Sequence, residues 1–196
     1  MAVMKNNKSN NYAFIDSQNI NLGVRSQGWK LDYRKLRLYL KNKYNITSAY
    51  LFIGKVDGNQ DLYSTLQKAG YILVFKPTIA YVADGKKTMK GNVDAEIVLY
   101  AAAKAYNDYD KAIIISGDGD FYCLAEYLID NNKLLNIIVP NKKYSKLLKN
   151  YIRYIVRLDL LKSKLIYNSI KKPTPTVGRN LRLSRQTSRS SGRSKP

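Results

Sequence analysis

The chain has 196 residues, with 34 Lys and Arg against 14 Asp and Glu, a formal net charge of +20, and 45% apolar residues. That apolar content builds a full core and excludes a wholly disordered chain, and the length suits one domain with a tail. With no histidine and one cysteine, Cys123, the chain excludes a Ser-His-Asp or Cys-His nucleophile, a His-bearing or four-cysteine zinc site, and an internal disulfide framework.

In chain order, residues 1–10 are polar and are expected to form a disordered N-terminal arm, and residues 11–170 hold the domain. Residues 12–16 form a short apolar run ending in Asp16 and read as the first strand. Asp32 is placed to cap a helix over 33–44, with apolar positions at Leu36, Leu38, Leu40 and Tyr44. A strand over 46–53 closes at Gly54, a helix over 62–69 ends at Gly70, and a third strand over 71–75 stops before Pro77. The stretch 80–92 is polar, Gly-bearing and basic. It reads equally as a flap that orders on nucleic acid or as a solvated loop. A helix over 93–106 carries Ile97, Val98, Ala101 and Ala105 on one face. A strand over 111–116, a helix over 121–129 that takes Cys123 into the core, a strand over 134–139 and a short helix over 144–150 follow. Residues 151–166 fit either strand or helix. Residues 171–196 hold eight Lys and Arg, no acid and few large apolar side chains, so they are expected to form a disordered basic tail. Even without them, residues 1–170 keep 26 cations against 14 acids, a net +12.

No apolar run approaches the roughly 18 residues of a membrane span, and the N-terminus lacks the apolar segment of a secretory signal. The expected location is the cytoplasm, with no membrane partner. The excess positive charge points to a polyanion.

Strands of near-continuous Ile, Leu and Val, spaced by helices, predict an α/β fold with a mostly parallel sheet covered on both faces. In such sheets the working site lies beyond the carboxyl ends of the strands. Acids gather there. Asp16 ends the first strand in FIDSQNI, Asp94 and Glu96 begin the Ala-rich helix in KGNVDAEIVLYA, and Asp118 and Asp120 follow the fourth strand in IIISGDGDFYCLAEYL. Taken singly, each suits a helix cap or a turn. Brought together at one edge, they would repel unless a cation joined them, and Mg2+ or Mn2+ has the matching preference for oxygen ligands. Such an ion acidifies water and stabilises the leaving oxygen of a phosphodiester without any histidine. Gly117 and Gly119 permit the sharp turn, and Ser116 could donate to a carboxylate or a phosphate.

These three segments, in this order and spacing over about residues 11–156, resemble the signatures of the NYN domain, the LabA-like branch of the PIN-like nuclease superfamily. The resemblance implies a three-layer α/β/α fold and a metal-dependent ribonuclease. It implies that Asp16, Asp94, Asp118 and Asp120 are the catalytic, metal-binding acids. Asn19 would orient the first carboxylate or touch substrate, and Lys90 would face a phosphate. Many members carry a further Asp nearly two turns into the helix that begins with VD. Here that position is Tyr100, with Glu96 as a substitute outer ligand or a single metal as the consequence.

Arg25, Lys30, Lys86, Lys87 and Lys90 are expected in loops at the same edge, forming a phosphate track, and Tyr81 could stack on an unpaired base. The expected partner is RNA, single-stranded or structured; homodimerisation is open. An alternative is an RNA-binding or regulatory module on the same scaffold with weak or no activity. A phosphatase of the haloacid dehalogenase type needs a second Asp two residues after the first, where this chain has Gln18.

Overall fold

The structure is a computed structural model that describes residues 9–76, 79–83, 86–90 and 94–168, with backbone alone for 79–83 and 86–90. Of the expected arm, residues 1–8 lie outside the described residues, as does the whole of the expected tail. Asn10 is described, and its amide N–H donates to Asp110 Oδ2 at 2.7 Å.

Six strands form one sheet: β1 (Asn11–Asp16), β2 (Ile46–Gly54), β3 (Ile72–Lys76), β6 (Ala112–Ile115), β7 (Leu134–Val139) and β8 (Ile155–Arg157). Their order is β3-β2-β1-β6-β7-β8, and every neighbouring pair is parallel. The central strands send alternate side chains to opposite faces, and both faces are covered. This explains their unbroken apolar sequences. Ala13, Ile15, Ala49, Leu51, Ile113, Ile115 and Ile138 enter one core. Ile20 and Val24 of α1 (Ser17–Arg25), Leu36 and Leu40 of α2 (Tyr33–Tyr44), Leu66 of α3 (Gln60–Lys68) and Leu165 of α6 (Lys162–Leu165) cover it. Phe14, Phe52, Ala112, Ile114, Ile137 and Val139 enter the other. That core is closed by Ile97 of α4 (Asp94–Leu99), by Leu124, Ala125 and Leu128 of α5 (Tyr122–Asp130), and by Leu148. The result is the three-layer α/β/α architecture expected from the sequence.

Asp32 caps α2 as predicted, accepting the Arg34 and Lys35 N–H groups at 2.9 and 3.1 Å. Elsewhere the structure departs from the sequence reading: the helix expected over 93–106 is α4 followed by a π-helical turn over Tyr100–Lys104, and the short helix expected over 144–150 is 3-10. A helix, α1, follows β1 directly, where the polar sequence gave no clear apolar period. The stretch 80–92 is not simply a loop: β4 (Ile79–Ala83) and β5 (Lys86–Lys90) pair antiparallel as a hairpin. The ambiguous stretch 151–166 resolves into the end of a 3-10 segment (Lys146–Tyr154), then β8, then a 3-10 turn and α6. Cys123 is exposed rather than in the core. The stripe that faces the sheet runs through Phe121, Leu124, Ala125 and Leu128, and Cys123 falls off it.

Candidate functional site

The strand order reverses between β1 and β6. The chain leaves β1 through α1 on one face and leaves β6 towards α5 on the other, so a crevice opens beyond the carboxyl ends of these two strands. Ile15 pairs with Ile115, which sets Asp16 beside Ser116.

Asp16 is 6% exposed. One of its oxygens accepts the Asn19 N–H at 3.0 Å, capping α1, and the other accepts from the Ser116 hydroxyl at 3.4 Å. Ser116 Oγ in turn accepts the Asp118 N–H at 3.2 Å. Asn19 Oδ1 accepts the Gly117 N–H at 2.8 Å. Asp118 Oδ1 accepts the Asp120 N–H at 3.2 Å and so caps the 3-10 turn Gly119–Phe121. Asn19 and Ser116 thus tie the end of β1 to the loop after β6. That loop presses against the segment following β7. A Cβ at Gly119 would drive into Ser145, and one at Gly117 would come within 3.0 Å of Pro140 Cδ. Only glycine lets the backbone sit this close.

Asp94 begins α4 and feels the same neighbours. Burial raises its carboxyl above the ordinary value of 3.8, as do the charges of Asp118 and Asp120, while Lys76 acts the other way. Asp16 is also raised above 3.8, by burial first and then by Asp94 and Asp118, against the lowering effect of its bonds from Asn19 and Ser116. The four aspartates therefore share one electrostatic neighbourhood. Glu96 is not among the charges that raise Asp16 or Asp94.

The donor set is all oxygen, and its mutual repulsion is what a hard divalent cation relieves. Among the described residues, however, no three acidic groups stand close enough to hold one ion together. Mg2+ commonly takes one or two carboxylates and keeps its remaining waters. The residues fit such an ion, drawn in by charge rather than received by a finished cage.

Sequence reasoning missed Lys76. It ends β3 at the same sheet edge, and its charge acts on Asp94. The strand-end rule points to it, since it stands directly before Pro77. Tyr33 was also missed as a neighbour. Its buried hydroxyl lies against Ser17 and in the field of Asp16, and burial raises it above 10.0. Arg25 and Lys30 were both expected in loops. Arg25 instead sits in the last turn of α1, and both line a cavity beside the acids. Lys87 and Lys90 fall on the backbone of β5, and their side chains, like that of Tyr81, lie outside the described residues. Tyr100 is a packing residue. Its ring meets Tyr50 at 5.6 Å and Phe52 edge-on at 5.3 Å, and Lys104 Nζ lies 4.4 Å from its centroid.

The model of the NYN domain matches residues 12–159 of this chain. The chain belongs to the NYN domain family. This NYN protein is similar to the low amplitude and bright protein LabA of Synechococcus elongatus. The two are 26% identical over 172 residues, covering 84% of this chain and 90% of LabA. Its fold resembles that of a protein of unknown function from Vibrio parahaemolyticus, with a TM-score of 0.68 at 23% identity, covering 84% of this chain and 100% of the other. Membership brings an RNA-related, nuclease-type function. No helix among the described residues is long and apolar enough to cross a membrane.

Proposed function

We propose that this NYN protein is a metal-dependent ribonuclease that hydrolyses phosphodiester bonds of RNA, single-stranded by preference, with Mg2+ or Mn2+ as its cofactor. The observation that carries this reading is the gathering of Asp16, Asp94, Asp118 and Asp120 at the β1–β6 reversal, where burial and mutual repulsion raise Asp16 and Asp94. These four would form the ion's site, one or two as direct ligands and the others through its waters and their charge. When bound, a divalent cation acidifies water and offsets charge on the phosphate. Asp16 and Asp118 position the attacking water, and Asn19 and Ser116 fix the two carboxylates through the bonds that join β1 to the loop after β6. Lys76 stands near Asp94 as a cation for a phosphate oxygen, with Lys87 and Lys90 as further candidates on β5.

The test is cleavage of labelled single-stranded RNA with Mn2+, Mg2+ or EDTA, for the natural chain and for Asp118→Ala. Metal-dependent cleavage that Asp118→Ala loses while still binding RNA is the expected outcome. Cleavage kept by that variant sinks the assignment. Tyr100 in place of an acid, and the lack of a finished three-carboxylate cage among the described residues, favour a second reading, an RNA-binding module without turnover. RNA binding with no cleavage under any metal condition would select it.

A further inference from the structure

Beside the acids, a cavity of about 510 Å³ lies between α1, the end of β2 and α3. It reaches Ser17, the residue after Asp16, and Gly54, the last residue of β2, so it opens at the same sheet edge as the carboxylates. Its two long walls are helices with matching periods. Gln18, Asn21 and Arg25 stand at i, i+3 and i+7 of α1, one face of the helix, about 10 Å from first to last. Asn59, Leu62 and Leu66 repeat that spacing at the start of α3 and along it. Lys30 lies at the far end, its Nζ 4.6 Å from the Tyr167 ring centroid.

Several polar side chains on these walls have no partner among the described residues. Asn59 precedes α3 in the capping position but makes no side-chain cap bond. The side chains of Gln18, Asn21, Asn59 and Arg25 make no hydrogen bond or ion pair among the described residues. The slot therefore offers three things together. Leu62 and Val56 give an exposed apolar surface for the face of a ring, three carboxamides each carry donors and an acceptor for a heterocycle's edge, and two cations suit a phosphate. Its volume lies in the range of sites that hold a small ligand. A lipid or a plain anion would make no use of the three carboxamides. A second cavity of about 610 Å³ shares Lys30, Leu62 and Leu66 and runs past Arg34, Asp32 and Asp61 to Tyr167 and Asn168, so a chain can continue away from the four site aspartates.

We propose that the slot between α1 and α3 is a nucleotide subsite, which takes the nucleotide adjoining the phosphate presented to the aspartates. Arg25 and Lys30 hold its phosphate, and Gln18, Asn21 and Asn59 meet the edge of its base. The position of that nucleotide in the substrate rests on the ribonuclease reading; its binding in the slot does not.

Binding is therefore measured apart from cleavage. The full chain in EDTA is titrated with a five-nucleotide RNA, with each nucleoside 5′-monophosphate and with inorganic phosphate, following backbone amide resonances. Arg25→Gln and Leu62→Trp are compared with the natural chain, each checked for an unchanged melting curve. Leu62 is 44% exposed, so a larger side chain enters the slot rather than the core. The expected result is that the RNA and at least one monophosphate shift the amides around Asn21, Arg25 and Asn59, and that each variant weakens RNA binding about tenfold. Undiminished RNA binding by both variants overturns the subsite. So does inorganic phosphate that matches every nucleotide at the same amides, because the slot would then read only an anion. The two readings fail separately. Binding in the slot without cleavage under any metal leaves the subsite standing and removes the ribonuclease. Metal-dependent cleavage with KM unchanged in both variants does the reverse.

Discussion

Asp16 sits where a carboxylate is held against its own preference. Burial and the charges of Asp94 and Asp118 raise it above 3.8, so the folded chain keeps this proton at pH values where the unfolded chain has released it. Stability therefore falls as pH rises from about 4 through the raised folded value, and stays lower above it. Asn at this position keeps an oxygen for the Asn19 N–H and caps a helix as well as Asp does. Asp16→Asn should melt about 2–4 °C higher at neutral pH and show a flatter dependence on pH. Mg2+ should raise the melting temperature of the natural chain and leave that of the variant nearly unmoved. Calorimetry over pH, with and without Mg2+, checks both. A lower melting temperature for the variant would mean that the Ser116 hydrogen bond outweighs the repulsion. The acids themselves were legible because an acid closing an apolar strand is conspicuous in a chain with only 14 of them. The strand-end rule marks Lys76 as well, but that it acts on Asp94, like the place of Tyr33 beside Asp16, is set by the fold alone.

At the scale of elements, α1 joins the two halves of the site. Its first turn is capped by Asp16, and its last carries Arg25. Its placement depends on Gly23, where an added Cβ would run into the ring of Pro140, the residue that ends β7's approach to the site edge. A proline ring has no rotamer to yield, so the helix itself must move. Gly23→Ala should cost about 1–3 kcal/mol in urea denaturation. It should also reduce RNA cleavage more than that loss of folded protein explains, because Asn19 and Arg25 move with the helix. Cleavage per folded molecule is the readout. The reason α1 escaped sequence reading is the reason it matters. Gln18, Asn21 and Arg25 occupy a face that a purely structural helix would fill with packing residues or solvated charge, leaving Ile20 and Val24 as its buried contacts. The parallel strands were plain for the opposite cause, since burial on both faces leaves no polar positions to confuse their period. The pairing of β4 with β5 was hidden because only β4 has an apolar strand sequence while its partner is polar and basic, and β8 by a length of three residues.

Across the whole molecule, charge is distributed in two portions. Residues 1–170 hold 26 cations and 14 acids, so at least 12 cations have no acid to pair with, and residues 171–196 add eight more with none. Among the described residues, both core clusters draw their buried residues from Ala13 to Leu165, and the composition of 171–196 offers few large apolar side chains to add to either. Deleting that segment should leave the melting temperature unchanged. If all eight cations engage phosphates, the slope of log binding constant against log salt for single-stranded RNA should become shallower by about 5–6. At high salt the two forms should converge, because the contribution of the extra phosphate contacts vanishes there while base contacts in the domain persist. A salt titration of RNA binding by the full and shortened chains tests this. An unchanged slope would assign the segment to a partner other than RNA and leave recognition to the domain alone. A shallower slope with the same turnover at saturating RNA would make it an electrostatic tether that raises capture of substrate without touching the chemistry at Asp16 and Asp118.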